Sequence, residues 1–340
     1  MIKKNPRFDN RIRKTGGGRK KETQKRPELK KEFNNVIQKY KAGSPIDENL
    51  IWIDVSVSEL TNEIINNGQY CSNYLCKQML KEDNLKQRKM KKCVTLKEVE
   101  NRNEQFENIN SLKEEYKKNG NPALSVDVKK KELLGNFYRE GSCYCNDNAQ
   151  VYDHDFNTFS NGILVPHGIY DIEKNIGYIT LSSSKDTAEF ACDCILNYWN
   201  NYGKFEYPNA TSILILCDGG GSNSARGFLF KENLCRISKE IGIEIRVAHY
   251  PPYTSKHNPI EHKLFSHVSR TIKGCILDTI EKAKEVIEKT KTTKGLKVMV
   301  NIANKKYETG KKATASFIEN CPIKFDDKLP KWNYTALAIF

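Results

Sequence analysis

The chain has 340 residues, enough for about two domains with a real buried core. Its 56 Lys+Arg against 42 Asp+Glu give a net charge of +14 and a pI near 9.1. That surplus favours a polyanionic partner, nucleic acid first, over an acidic small substrate, although ribosomal and membrane-surface proteins share the signature. No apolar run of about eighteen residues is present, so no membrane span is expected. The start, Met1-Ile2-Lys3-Lys4-Asn5-Pro6-Arg7, has no apolar stretch behind its charges and is not a secretory signal, and the eleven cysteines read as reduced, mostly buried thiols of a cytoplasmic protein.

Residues 1–31 carry thirteen Lys/Arg and three acids around Gly16-Gly17-Gly18. They read as a disordered basic arm, taken to end near 35, able to track a phosphate backbone through Arg11, Arg13, Lys14, Arg19, Lys20 and Lys21. A helix–turn–helix is expected over 55–85. Val57, Leu60, Ile64 and Ile65 form one face, Ser56 or Ser58 caps it, and Asn66-Asn67-Gly68 breaks it. A second helix starts near Ser72 with Leu75, Met79 and Leu80 inward; such a pair occurs in any helical domain as well as in DNA-binding ones. Residues 86–120 have a helical period and read as a connector, so 36–120 is taken as a helical DNA-binding region.

The second half changes character. Residues 123–128 predict a strand, a polar hairpin follows to about 161, and 163–171 and 177–181 predict two more strands. A helix over 186–202 with Asp186 as its N-cap comes next. It leads to a strand ending at Asp218, a helix over 225–241, a strand over 243–248 and a helix over 259–273. The order β-β-β-α-β-α-β-α is that of an RNase H-like core: α/β, with antiparallel strands first and parallel βαβ units after. This core is expected over 121–275. The C-terminal extension, 276–340, is only loosely defined: a helix around 291–300, then strand pieces.

Three acids stand out in this layout. Asp127 lies inside the first strand, Asp218 ends the fourth ahead of Gly219-Gly220-Gly221, and Glu261 opens the last long helix. Carboxylates converging from separate elements can hold two divalent cations about 3.5–4 Å apart for in-line phosphoryl transfer, which suits Mg²⁺ or Mn²⁺. Each has a plainer explanation. Asp127 can pair with Lys129, Lys130 or Lys131 at a sheet edge. Glu261 fits a capping box with Asn258 and Pro259. Asp218 also fits a methyltransferase or dinucleotide loop, but Gly219-x-Gly221-x-x-Ser224 lacks the third glycine and the next strand ends in Ala248-His249 without an acid. The eleven cysteines include no Cys-x-x-Cys, and Cys143-x-Cys145 and Cys192-x-Cys194 are too tight for a zinc knuckle.

The segment Leu124-Ser125-Val126-Asp127-Val128-Lys129-Lys130-Lys131-Glu132-Leu133-Leu134-Gly135 resembles the first catalytic block of the Rhodopirellula-type DDE transposases of bacterial insertion sequences. Cys217-Asp218-Gly219-Gly220-Gly221-Ser222-Asn223 resembles the second block. His249-Tyr250-Pro251-Pro252-Tyr253-Thr254-Ser255-Lys256-His257-Asn258-Pro259-Ile260-Glu261-His262 resembles the third. The likeness runs from about Arg11 to Tyr334. It implies a metal-dependent transposase with Asp127, Asp218 and Glu261 as catalytic and metal-holding acids. It also implies that Lys129, Lys130 and Lys256 join the arm on DNA, that terminal inverted repeats and target DNA are the partners, and that a dimer on DNA works in the nucleoid. His249, Lys256 and His262 stand near Glu261 as candidate contacts to phosphate or water. The chain has Tyr253, His257 and Pro259 where the family usually has Gly, Trp and Lys, and Asp54 and Val55 where it tends to be basic. It begins almost at the Gly-Gly-Gly segment, where relatives carry a further helix–turn–helix, so a chain shortened at its N-terminus is expected. A remnant that only binds DNA and an RNase H-like nuclease are the alternative readings.

Overall fold

A computed structural model describes residues 20–43, 51–88 and 98–338. The chain divides into two units, Met1–Val94 and Thr95–Phe340.

The first unit is built from α1 (Glu22–Lys25), α2 (Pro27–Tyr40), the antiparallel pair β1 (Lys41–Gly43) and β2 (Ile51–Ile53), α3 (Val57–Asn66) and α4 (Asn73–Glu82). Leu29, Phe33, Val36 and Ile37 recur at helical spacing on α2 and pack with Leu60, Ile64, Leu75, Cys76 and Met79. The basic arm expected to reach residue 35 is therefore helical from residue 22, in the short α1 and then in α2, where Pro27 starts a helix whose apolar stripe the surrounding lysines obscure. The Ser56 hydroxyl accepts from the Glu59 N–H while the Glu59 carboxylate accepts from the Ser56 N–H, a full capping box on α3. Ser72 caps α4, and Gly68 at φ +85° makes the break between them. Ile65, expected on the inner face, is exposed.

The second unit opens with α5 (Arg102–Lys118), which packs on the sheet of this unit and so is not a free connector. There follow β3 (Ala123–Val128), β4 (Glu132–Leu134), β5 (Gly162–Asp171) and β6 (Ile176–Ser182). Helix α6 (Ala188–Tyr198) starts at Thr187, whose hydroxyl accepts from the Phe190 N–H, one residue later than the Asp186 cap expected from sequence. It runs on through a π-turn (Trp199–Gly203) into α7 (Lys204–Glu206). Next come β7 (Ser212–Asp218), α8 (Phe228–Ile241), β8 (Glu244–Tyr250), a π-turn (Glu261–Phe265) leading into α9 (Ser266–Ile272), and α10 (Ile280–Glu288). The segment ends with β9 (Lys297–Ile302), α11 (Ala315–Asn320), β10 (Ile323–Phe325) and β11 (Asn333–Ala336). The extension left loose by the sequence thus supplies strands, and β9 stands where the sequence suggested a helix.

Among the described residues the sheet runs β10-β11-β8-β7-β3-β5-β6-β9, with β4 beside β5. β5 is antiparallel to both β3 and β6, whereas β7 lies parallel to β3 and β8 parallel to β7. The inner order β8-β7-β3-β5-β6 is the RNase H-like arrangement. Side chains alternate across it. Leu124, Val126, Ile213, Ile215 and Cys217 face a core containing Phe190, Ile195, Phe230 and Leu234 from α6 and α8. Ala123, Leu214 and Leu216 face Ile109, Leu112 and Tyr116 of α5, and Tyr170 and Ile179 meet Ile260, Leu264 and Phe265.

Candidate active site

Asp127 and Asp218 follow from that alternation. They share the parity of Ala123 and Leu216, so both leave the sheet on the side of α5 and α9, at the carboxyl ends of β3 and β7. The parallel register ends at Val126 opposite Cys217, and the next position on each strand is the acid. Asp127 also stands opposite Gly168 of β5, and Asp218 opposite Tyr250 of β8.

Glu261 reaches this edge from a helix fitted closely to the sheet. A Cβ on Gly168 would lie 2.5 Å from the Phe265 ring and 3.0 Å from Ile260 Cδ1, and one on Gly177 would lie 2.4 Å from Leu264 Cδ1. Only bare backbone at these positions lets the helix approach. Its first turn is pinned from β3. Ser125 Oγ accepts from the Ile260 N–H at 3.1 Å and donates to Asn258 Oδ1. The Glu261 N–H donates to the Asn258 carbonyl, while the Asn258 side chain turns to Ser125. The capping box considered for Glu261 is therefore absent, and the helix is capped by a serine two residues before Asp127.

Burial pushes the Asp127 carboxyl up to about 7, against a bond from the Val128 N–H at 2.8 Å; the charges of Asp218, Glu261 and Asp186 add to the rise. Burial and then Glu261 push Asp218 up to about 6. Asp218 Oδ1 is buried without a hydrogen-bond partner. Crowded like charges and an orphaned acceptor are what a hard cation relieves, so the donor set fits Mg²⁺ or Mn²⁺. Among the described residues no group of three or more His, Cys, Asp and Glu is close enough to hold a metal ion, although Asp218 and Glu261 act on Asp127, and Glu261 on Asp218, through their charge.

The other candidates divide. Lys20, Lys21, Lys130 and Lys256 are exposed, with Lys21 also paired to Glu82 at 2.8 Å. Lys129 does not fit a DNA-contacting role: it is buried and bonded to Glu132 at 2.6 Å, because it continues the strand pairing by donating its N–H to Pro166. His249 also departs from expectation. It is fully buried, its Nε2 is 3.0 Å from Tyr334 Oη, and burial holds its imidazole down at about 4. His262 is exposed, with Nε2 at 2.6 Å from the Lys256 carbonyl oxygen. Arg11, Arg13, Lys14 and Arg19 lie outside the described residues. Sequence reasoning missed Ser125, Gly168 and Gly177, whose partners lie far along the chain.

The family model described as the Rhodopirellula transposase DDE domain matches residues 32–338. Among solved structures, the Mos1 transposase paired-end complex with left transposon end is 16% identical, covering 82% of this chain and 74% of that one at a TM-score of 0.42. The Mos1 mariner paired-end complex with Mn is 14% identical, covering 82% and 73%, with a TM-score of 0.41. No curated protein sequence matches. The match across residues 32–338 decides the matter: the chain belongs to the Rhodopirellula-type DDE transposase family and is a DNA transposase, a polynucleotidyl transferase.

Proposed function

We propose that this transposase cuts and joins DNA through Asp127, Asp218 and Glu261, acting with two Mg²⁺ or Mn²⁺ ions. The shared register of β3 and β7 supports the reading most directly, since it sets two acids side by side. When bound, the ions supply Lewis acidity at the attacking and leaving oxygens of phosphoryl transfer. Asp127 and Asp218 offer their oxygens from neighbouring strands, the Val128 N–H orients one Asp127 oxygen, and Glu261 adds a third carboxylate from the opposing helix. Two in-line displacements follow: water cuts the element's end, and the freed 3′-hydroxyl attacks target DNA. Arg11, Arg13, Lys14, Arg19, Lys20, Lys21, Lys130 and Lys256 neutralise phosphates of the terminal inverted repeats and target. A dimer joins two ends in the nucleoid.

The test is strand joining in Mg²⁺ or Mn²⁺ with a pre-cut oligonucleotide carrying the element's terminal repeat. Asp218→Asn is expected to lose joining while binding the same DNA nearly as well as the unaltered chain. Retained joining would remove Asp218 from the mechanism. Binding without joining by both proteins would favour a DNA-binding remnant.

A further inference from the structure

We propose that Lys231 is a positioning residue for Asp218, holding the turn after β7 through a closed ring of buried polar contacts. The inference rests on the assignment of Asp218 as a metal-holding acid. The turn closes on itself when the Ala225 N–H donates to the Gly219 carbonyl at 3.2 Å. Lys231, on the first turns of α8 and 4% exposed, donates its ammonium to the Ala225 carbonyl. The same ammonium lies 4.8 Å from the Tyr334 ring centroid and 5.9 Å from that of Phe228. Tyr334 Oη is 3.0 Å from His249 Nε2, and His249 Nδ1 is 3.3 Å from the Asp218 carbonyl oxygen. One consistent proton assignment has Tyr334 donating to Nε2 and Nδ1–H donating to Asp218. The ring therefore runs from Asp218 through His249, Tyr334 and Lys231 to Ala225, and back along the turn.

The charge is what makes this informative. A buried ammonium is costly without compensation, and burial lowers the Lys231 pKa with no carboxylate among the groups that act on it. Methionine fills nearly the same space without that cost. What lysine adds is a charge-assisted hydrogen bond to the turn and a cation on two aromatic faces. Both act behind the backbone that presents Asp218, on the far side of the turn from the His249 contact.

Full-length Lys231→Met, Lys231→Arg, Tyr334→Phe and Asp218→Asn test this. Mn²⁺ binding is followed by water-proton relaxation and by the rise in melting temperature, alongside strand joining at varied Mg²⁺. Lys231→Met is expected to melt cooperatively and bind DNA normally, with half-saturation by Mn²⁺ moved up about tenfold, the loss of one charge-assisted bond. Lys231→Arg should recover to within about threefold, and Tyr334→Phe should shift about threefold in the same direction, as for a neutral bond. If Lys231→Met does not fold, Tyr334→Phe carries the test. Unchanged Mn²⁺ half-saturation in the folded variants overturns the proposal, as does equal loss in the Arg and Met variants. Asp218→Asn binding Mn²⁺ like the unaltered chain would instead sink the acid assignment itself.

Discussion

Asp127 and Asp218 are held by backbone: neighbouring parallel strands fix their offset through the sheet's own hydrogen bonds. Glu261 is held by side chains, through the Ser125 and Asn258 contacts and the fit of Phe265 and Leu264 over bare glycine backbone. The strand register does not depend on any one side chain, and only the turn after Asp218 is proposed to lean on one, Lys231. The helix does depend on single side chains, because each contact that places it belongs to a single residue. The third acid should therefore be the easiest of the three to displace by mutation away from the acids.

Gly168→Val tests this most severely. Its side chain would meet the Phe265 ring, so destabilisation near the upper end of about 1–3 kcal/mol is expected. Strand joining should fall far more than DNA binding. Joining at the original rate in a folded Gly168→Val protein would mean that the close fit does not place Glu261. Ser125→Ala removes one cap from across the sheet and should cost about 1 kcal/mol, measured by urea denaturation. Joining should drop with it; if stability falls and joining does not, Ser125 is a structural cap and nothing more.

The smallest effect concerns the seam alone. Asp127 and Asp218, raised to about 7 and about 6, bind protons in the folded state that the unfolded chain has already released. Stability contributed by these groups is therefore present below the ordinary carboxylate range and lost as pH rises through 6 to 7. In EDTA the melting temperature should fall between pH 5.5 and 8, by about 2 °C once solvent screening is allowed for. Asp127→Asn should flatten the trend, and saturating Mn²⁺ should reverse it. A slope that survives Asp127→Asn would assign the titration elsewhere.

The seam was legible in the sequence and the helix contacts were not, for a physical reason. Ile213 to Cys217 form an uninterrupted apolar run, and a strand buried on both faces reads that way wherever it occurs. Ser56 and Glu59 announce their capping box because both partners are local. Ser125 caps a helix 135 residues away, so nothing near Ile260 signals it, and a false local cap offered itself at Asn258. Lys129 looked like its neighbour Lys130 because period-2 alternation along a strand end decides which lysine turns inward. Strands β10 and β11 are short and become strands only by pairing outward from β8.

That pairing has a consequence for the order in which the molecule is made. β8, whose Tyr250 lies opposite Asp218, gains its outer neighbour only from residues 333–336, and β6 gains its own only from residues 297–302. A chain emerging from the ribosome has all three acids outside long before either flank of the sheet is covered. The β6 flank is covered when residues 297–302 arrive, the β8 flank only with residues 333–336. A nascent chain with exposed strand edges is prone to stick to others like it. The strand beside Tyr250 thus takes its outer neighbour from residues 333–336, among the last of the sheet to be synthesised.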